Sequence, residues 1–246
     1  MSSTVLALIP ARAGSKRLPH KHQRLIDGVP VIEYTIRAAL EAQLVTKAVV
    51  ATDDDVVADI ARACGVDILV RPKELCQDTS PIDDTFKFAC RELGNSMGSR
   101  LDQLLWLQAD VPIRLPGMID RVVSTLTSDQ QATAAVTGYQ VNQHPGWMKE
   151  LSPDGFLVPL FSETRAYRMQ DLPDRFLLDG AVVAIRPEYL EKSSAPSGPH
   201  QYLGPRPRLL LHEHPMYSLN IDTDVQLELA EFYLRNISQR QQRDFR

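Results

Sequence analysis

The chain has 246 residues, 43% hydrophobic and 24% charged, a composition that supports a packed core and excludes a disordered or fibrous class. With 27 Lys and Arg against 31 Asp and Glu the formal net charge is -4, so there is no basic excess to draw nucleic acid or an anionic membrane surface. Any anion that binds must meet a local cluster. The cysteines, Cys64, Cys76 and Cys90, lack the close spacing of metal or redox pairs and read as reduced packing residues. Met1-Ser2-Ser3-Thr4 leads into a short apolar stretch without a charged leader or a long apolar segment, which predicts a cytoplasmic protein outside any membrane.

In chain order, Val5 to Ile9 reads as a strand, Val31 to Ala42 as a helix, Ala48 to Ala51 as a strand and Val56 to Ala63 as a helix. Ile68 to Val70 and Leu104 to Gln108 read as further strands, and Met118 to Leu126 as a helix. Such alternation predicts a parallel sheet flanked by helices, within a single domain over 1–246. Thr52-Asp53-Asp54-Asp55 can cap the second helix, and Thr223 with Gln226 has capping-box spacing ahead of a last helix. From Gln140 to Asp179, His144-Pro145-Gly146 and Ser152-Pro153-Asp154-Gly155 predict hairpins inserted into the α/β core. Ser193 to Pro207 reads as a mobile surface loop, and Gln239 to Arg246 as a frayed polar end.

The stretch Ile9-Pro10-Ala11-Arg12-Ala13-Gly14-Ser15-Lys16-Arg17-Leu18-Pro19-His20-Lys21-His22 follows the first strand directly. Loops at the carboxyl ends of parallel strands form the ligand crevice of open sheets, and a basic, glycine-containing loop there suits a polyphosphate. It is not a Walker loop, because the preceding glycine is missing. Taken alone, the run also fits a solvated charged surface.

Ile9 to Lys16, with Pro19 and Lys21 behind it, resembles the nucleotide-binding signature of the CMP-sialic acid synthetase group of cytidylyltransferases. Ala51-Thr52-Asp53-Asp54-Asp55, Arg71-Pro72 with Glu74-Leu75, Gln170-Asp171-Leu172-Pro173, Asp179-Gly180-Ala181 and Ile221-Asp222-Thr223 fall where that group places its motifs. The resemblance therefore runs along nearly the whole chain. It implies a Rossmann-like three-layer nucleotidyltransferase fold with a mainly parallel sheet and an inserted β-containing dimerisation element at about 140–179. It further implies transfer of a cytidylyl group from CTP to a 2-keto-3-deoxy acidic sugar, with Mg2+, in a homodimer.

Carried over by residue, the resemblance makes Ala11, Arg12, Gly14, Ser15, Lys16, Lys21 and Arg71 nucleotide-binding, with Arg12, Lys16 and Lys21 at the triphosphate and Arg71 near the cytosine and ribose. Arg12, Lys16 and Lys21 would be catalytic, since charge accumulates on phosphate oxygens as pyrophosphate leaves and preplaced cations stabilise it. Sialic acid synthetases generally carry Asp-Ile-Asp where this chain has Asn220-Ile221-Asp222. Asp110, in Leu107-Gln108-Ala109-Asp110-Val111-Pro112, instead falls where Kdo cytidylyltransferases carry a metal-binding Asp. Asp110 and Asp222 are thus the expected magnesium pair, one or two carboxylates being what that ion usually takes. Asp110 before Pro112 also suits a turn, and Asp222 also suits the positive end of the last helix.

Gln108, Gln170, Asp171 and Asp179 fall at acceptor-contact positions of the group, although Asp179 before Gly180 suits a turn equally. His212-Glu213-His214 would place two imidazoles on one face of a strand, a weak metal-binding pattern without a third ligand. Two rival readings are a Kdo-type or other sugar nucleotidyltransferase, favoured by Asp110, and a non-catalytic nucleotide-sugar sensor, favoured by Asn220.

Overall fold

The computed structural model describes residues 3–77, 79–94, 100–161, 166–192 and 200–244. Strand β1 (Val5–Ala11) leads through a loop and a 3-10 turn, Lys21–Gln23, into a two-stranded ribbon, β2 (Leu25–Ile26) and β3 (Val29–Pro30), and then α1 (Val31–Glu41). Alternation continues with β4 (Lys47–Thr52), α2 (Asp55–Ala63), β5 (Asp67–Val70), α3 (Ile82–Gly94), β6 (Gln103–Trp106) and α4 (Met118–Ser128). After β7 (Ala134–Gln140) come a small hairpin, β8 (Lys149–Leu151) and β9 (Leu157–Pro159), and the long β10 (Phe176–Ile185). The chain closes with α5 (Pro187–Lys192), β11 (Pro207–Leu211) and α6 (Asp224–Asp244).

Seven strands form one sheet in the order β11-β7-β10-β6-β1-β4-β5. Within it β10 runs antiparallel to both β6 and β7, and the other neighbours are parallel. The period of two in β1 sorts its side chains onto two faces. Val5, Ala7 and Ile9 pack with Ile32 and Ile36 of α1, Val57 of α2 and Val122 of α4. Leu6 and Leu8 pack with Phe86 of α3 and Leu190 of α5. Both faces being covered, the central strand reads as an unbroken apolar run, as parallel strands do. Three layers result, as the sequence predicts.

A third cluster matters more for function. Leu18, Ile26, Val31, Ile113, Ile221 and Ala230 pack together, so the apolar face of α6 gathers the loops that follow β1 and β6. Asp54 caps α2 as expected, its Oδ1 accepting from the backbone N–H of Val56 and Val57 at 3.0 and 3.2 Å. At the start of α6, Gln226 Oε1 accepts from Asp222 N at 2.8 Å and from Thr223 Oγ1 at 3.1 Å.

Several expectations are revised. The helix α3, amphipathic around Phe86, was not singled out from the sequence. Of the stretch read as a mobile loop, 193–199 lies outside the described residues, whereas 201–203 forms a 3-10 turn that buries Tyr202 to 3% exposure. Its ring packs edge-on against Phe86 and Trp106 at 5.3 and 5.9 Å; one aromatic with two partners outweighs the turn-forming residues around it. The helix α6 extends to Asp244, through most of the segment read as frayed. Among its described residues the inserted segment contributes one hairpin, closed by Ser152 N donating to Phe156 O at 2.8 Å with Gly155 at φ 90°. His144-Pro145-Gly146 instead opens a 3-10 turn, and Phe176 to Asp179 already belong to β10. Among the described residues no helix is long and apolar enough to cross a membrane.

Candidate active site

The carboxyl ends of β1, β5 and β6 open into a cleft of about 570 Å³. Its wall is the loop after β1. Ala11 is buried at the strand end, and the following turn is fastened by Ala13 N donating to Asp53 Oδ1 at 2.9 Å. Gln23 Nε2 donates to Asp54 Oδ2 at 2.8 Å, and Leu18 inserts into the cluster under α6. With both ends tied to the tip of β4 and its middle anchored by Leu18, the loop presents Arg12, Ser15, Lys16, Arg17 and Lys21 to the cleft. Gly14 is exposed and does not line it, nor does Ala11.

Two carboxylates lie among these cations. Asp110, 3% exposed, sits beyond the end of β6, and its carbonyl accepts from Ile221 N at 2.9 Å. That bond sets the segment before α6 beside the strand end, so Asp110 and Asp222, 112 positions apart in sequence, share one cation: Lys21 Nζ ion-pairs with Asp110 Oδ2 and lies 3.1 Å from Asp222 Oδ1. Arg17 adds a second contact to Asp222 Oδ2 at 3.0 Å. The remaining oxygen of Asp110, Oδ1, is buried without a hydrogen-bond partner, as is Oδ1 of the neighbouring Asn220. An acceptor-only pair already holding a cation, with one carboxylate oxygen unsatisfied, is a donor set that fits a small divalent ion. His212 and His214 do not join it: β11 ends at Leu211, so the two are not ranged along a strand, and His214 caps the 3-10 turn Pro215–Ser218 by accepting from Met216 N at 3.1 Å.

Arg71, at the end of β5, lies in the cleft wall with one guanidinium nitrogen shared between Leu75 O and Thr85 Oγ1, while its Nε is buried and unpartnered. Burial lowers its pKa. His22 forms part of the floor; burial pushes its imidazole down to about 4 against the opposing pull of Asp110, so it is neutral at pH 7. Arg17, His22, Gln77, Ser80, Ile82 and Trp106 line the cleft without having been assigned from sequence. Arg17 and His22 were inside the basic run, whereas Gln77, Ser80 and Ile82 arrive with α3, the helix not recognised.

Of the four residues read as acceptor contacts, Gln108 alone lines the cleft. Gln170 and Asp171 are exposed on the inserted segment, where Asp171 is bound by Arg168 at 2.9 and 3.0 Å. The Asp179 carboxylate is 1% exposed. It accepts from Thr137 Oγ1 and Ser218 Oγ, both at 2.6 Å, and from Ala181 N at 2.9 Å. His212 Nε2 lies 2.9 Å from it, off the line of a well-formed hydrogen bond. Burial alone would raise the Asp179 pKa, but these donors more than offset it and hold the group below the usual carboxylate range.

Comparison with known proteins matches residues 6–176 to the family described as Cytidylyltransferase. The chain is 33% identical over 236 residues to the CMP-N,N'-diacetyllegionaminic acid synthase of Legionella pneumophila subsp. pneumophila, covering 92% of this chain and 94% of that one. It is 28% identical over 192 residues to the N-acylneuraminate cytidylyltransferase of Streptococcus agalactiae serotype III, covering 77% of this chain and 45% of that one. The chain thus spans nearly all of the first relative and about half the length of the second. Among solved structures, CMP:2-keto-3-deoxy-manno-octonic acid synthetase complexed with CTP superimposes with a TM-score of 0.71 at 20% identity, over 95% of this chain and 99% of that one; at that identity the likeness concerns the fold.

Proposed function

The chain belongs to the cytidylyltransferase family, and from that premise we propose that it transfers a cytidylyl group from CTP to a 2-keto-3-deoxy acidic sugar of the nonulosonate class, releasing pyrophosphate. The observation that carries this reading is the convergence of Arg12, Lys16, Arg17 and Lys21 with Asp110 and Asp222 around one cleft. A sugar hydroxyl oxygen attacks the α-phosphorus and gives up its proton to water, the bond from that phosphorus to the bridging oxygen breaks, and the electron pair leaves with pyrophosphate. Negative charge grows on the departing oxygens, and fixed cations in a walled cleft stabilise it without reorganisation. Arg12 can grip two oxygens at once, whereas Lys16 and Lys21 act as point charges.

Asp110 and Asp222 would hold Mg2+, which when bound draws charge from the phosphate oxygens. Without nucleotide, Lys21 bridges this pair and Arg17 adds a second cation at Asp222; phosphate then competes with the carboxylates for the Lys21 ammonium. Arg71, tied at the end of β5, would meet the base or ribose, and Gln108 the acceptor.

The exposed apolar side chains of the inserted segment support a homodimer. Leu157 is 72% and Tyr167 98% exposed, with Leu151, Phe156, Phe161 and Leu177 also more than half exposed. So many large apolar side chains left exposed on one segment fit an interface better than a monomer's skin. The same reading keeps the protein in the cytoplasm, with CTP as donor.

The test is pyrophosphate release with CTP, GTP or UTP, with and without magnesium, against N-acetylneuraminic, N,N'-diacetyllegionaminic, pseudaminic and 3-deoxy-manno-octulosonic acids. Magnesium-dependent release with CTP and a nine-carbon acid is the expected outcome. Release with the octulosonic acid alone would move the acceptor class to the Kdo type, and tight nucleotide binding indifferent to magnesium, without turnover, would replace the enzyme by a sensor.

A further inference from the structure

Strand β10 does not pass straight along its neighbour. Its register against β7 slips between Leu178 and Val183, and inside the slip Gly180 adopts φ 69°, a left-handed conformation that side chains disfavour. The next residue, Ala181, is gripped by both poles. Its N–H donates to Asp179 Oδ1 at 2.9 Å, and its carbonyl accepts from Arg114 Nε at 3.1 Å.

Each charged group is anchored in turn. Asp179 is held by Thr137, Ser218 and the nearby His212. The other guanidinium nitrogens of Arg114 donate to Gln108 O at 2.7 Å, Val111 O at 2.6 Å and Thr35 Oγ1 at 2.7 Å. One side chain therefore joins the bulge of β10 to the loop after β6 that carries Gln108 and Asp110. Burial lowers the Arg114 pKa to about 10, with Asp110 and Asp179 opposing, so the cation is retained at pH 7.

The consequence appears at Gly180. A Cβ there would overlap Oε1 of Gln108 and stand 3.5 Å from the ring of Trp106. The Gln108 carboxamide rests on the bare backbone that the clamp holds in place. Gln108 and Trp106 line the cleft, whereas Asp179, Ala181 and Arg114 do not.

We propose that Asp179, Gly180 and Arg114 are positioning residues for the acceptor side of the site, a backbone clamp that fixes the Gln108 carboxamide, and that Asp179 is not itself an acceptor ligand. The inference rests on the proposed function, in which Gln108 meets the acceptor acid. It explains why a carboxylate at this place is spent wholly on internal donors: an acid facing an acidic sugar would repel it, whereas a buried one can aim a neutral amide at it.

The experiment is a double-mutant cycle on the full chain, using CTP and whichever acid of the panel the wild type consumes. Gly180→Ala is expected to raise the acceptor KM about tenfold while the CTP KM stays within about twofold, and to have less than about a twofold further effect in a Gln108→Ala background. Equal losses in the two backgrounds would mean that Gly180 acts by general strain, and would overturn the clamp. If Gly180→Ala does not fold, Asp179→Asn and Asp179→Ala replace it: Asn retains an acceptor for Ala181 N–H, so it should preserve activity better than Ala, and both effects should vanish without Gln108. An Asp179→Ala loss that persists undiminished in the Gln108→Ala background would make Asp179 a ligand after all. Wild-type silence with every acid would overturn the function itself, an outcome separate from an active wild type with an additive cycle.

Discussion

Lys21 has two demands on one ammonium. In the ligand-free chain it ion-pairs with both Asp110 and Asp222, and in the reaction it is proposed to serve the triphosphate. Removing one member of a buried ion pair typically costs about 3 to 5 kcal/mol, because the charge left behind is unpaired. Lys21→Ala should therefore lower the melting temperature in metal-free buffer, and magnesium should recover more of the loss than it adds to the wild type; equal magnesium shifts in the two proteins would remove the carboxylates as the metal site. The same variant, and Arg12→Ala, should reduce turnover at least about a hundredfold, the scale of a lost transition-state donor. Arg12→Ala is expected to do so with little change in melting temperature, since its side chain lies in the cleft wall rather than in the core. Normal turnover by either would withdraw the assignment.

At the scale of elements, the cap of α2 and the loop after β1 are one unit. Asp54 caps the helix through Oδ1 and accepts from Gln23 through Oδ2, so Asp54→Ala should cost about 1 kcal/mol for the cap and also loosen the basic loop. Denaturation would show the first effect and a raised CTP KM the second; Gln23→Ala should reproduce only the KM change. The inserted hairpin poses a different question. Leu157→Glu on its outer surface leaves no core contact broken, so it should leave the fold intact while shifting a dimer toward monomer in light scattering. An unchanged mass would place the interface elsewhere.

For the whole molecule, His22 sets an acid limit. Its folded pKa of about 4 lies below the ordinary 6.5, so the unfolded chain takes up a proton at a pH where the native one does not. The histidine then costs nothing above pH 6.5, and stability falls as pH drops from 6.5 to 4, by an amount of the order of 3 kcal/mol. Asp179 acts in the same direction lower down: its pKa is depressed by folding, so its contribution is complete above the ordinary carboxylate value and is lost only as pH falls below it. Replacing His22 by Gln should flatten the melting-temperature profile between pH 6.5 and 4 and leave the steeper fall beneath it. A profile unchanged by His22→Gln would mean that other groups carry the acid limb.

The sequence by itself determined what local periodicity and local chemistry control. The alternating strands and helices, the caps at Asp54 and Thr223, and the basic loop after β1 were legible because each depends on residues a few positions apart. Arg12, Ser15, Lys16 and Lys21 fall within one short run, and that run directly after a strand, in the sequence itself. The tertiary structure decided what depends on contacts between distant segments. Asp110 and Asp222 meet because α6 folds its apolar face over the loop ends and Ile221 bonds to the Asp110 carbonyl. Asp179-Gly180-Ala181 reads equally as a ligand-bearing motif or a simple turn, since nothing in it reveals that Thr137 and Ser218 will donate to the Asp179 carboxylate and Arg114 to the Ala181 carbonyl. Tyr202 looked like part of a loop because its partners Phe86 and Trp106 are about a hundred residues away in the chain. Local sequence encodes which elements form and where charge gathers, but whether a carboxylate faces a substrate or a backbone amide is settled only when the sheet closes around it.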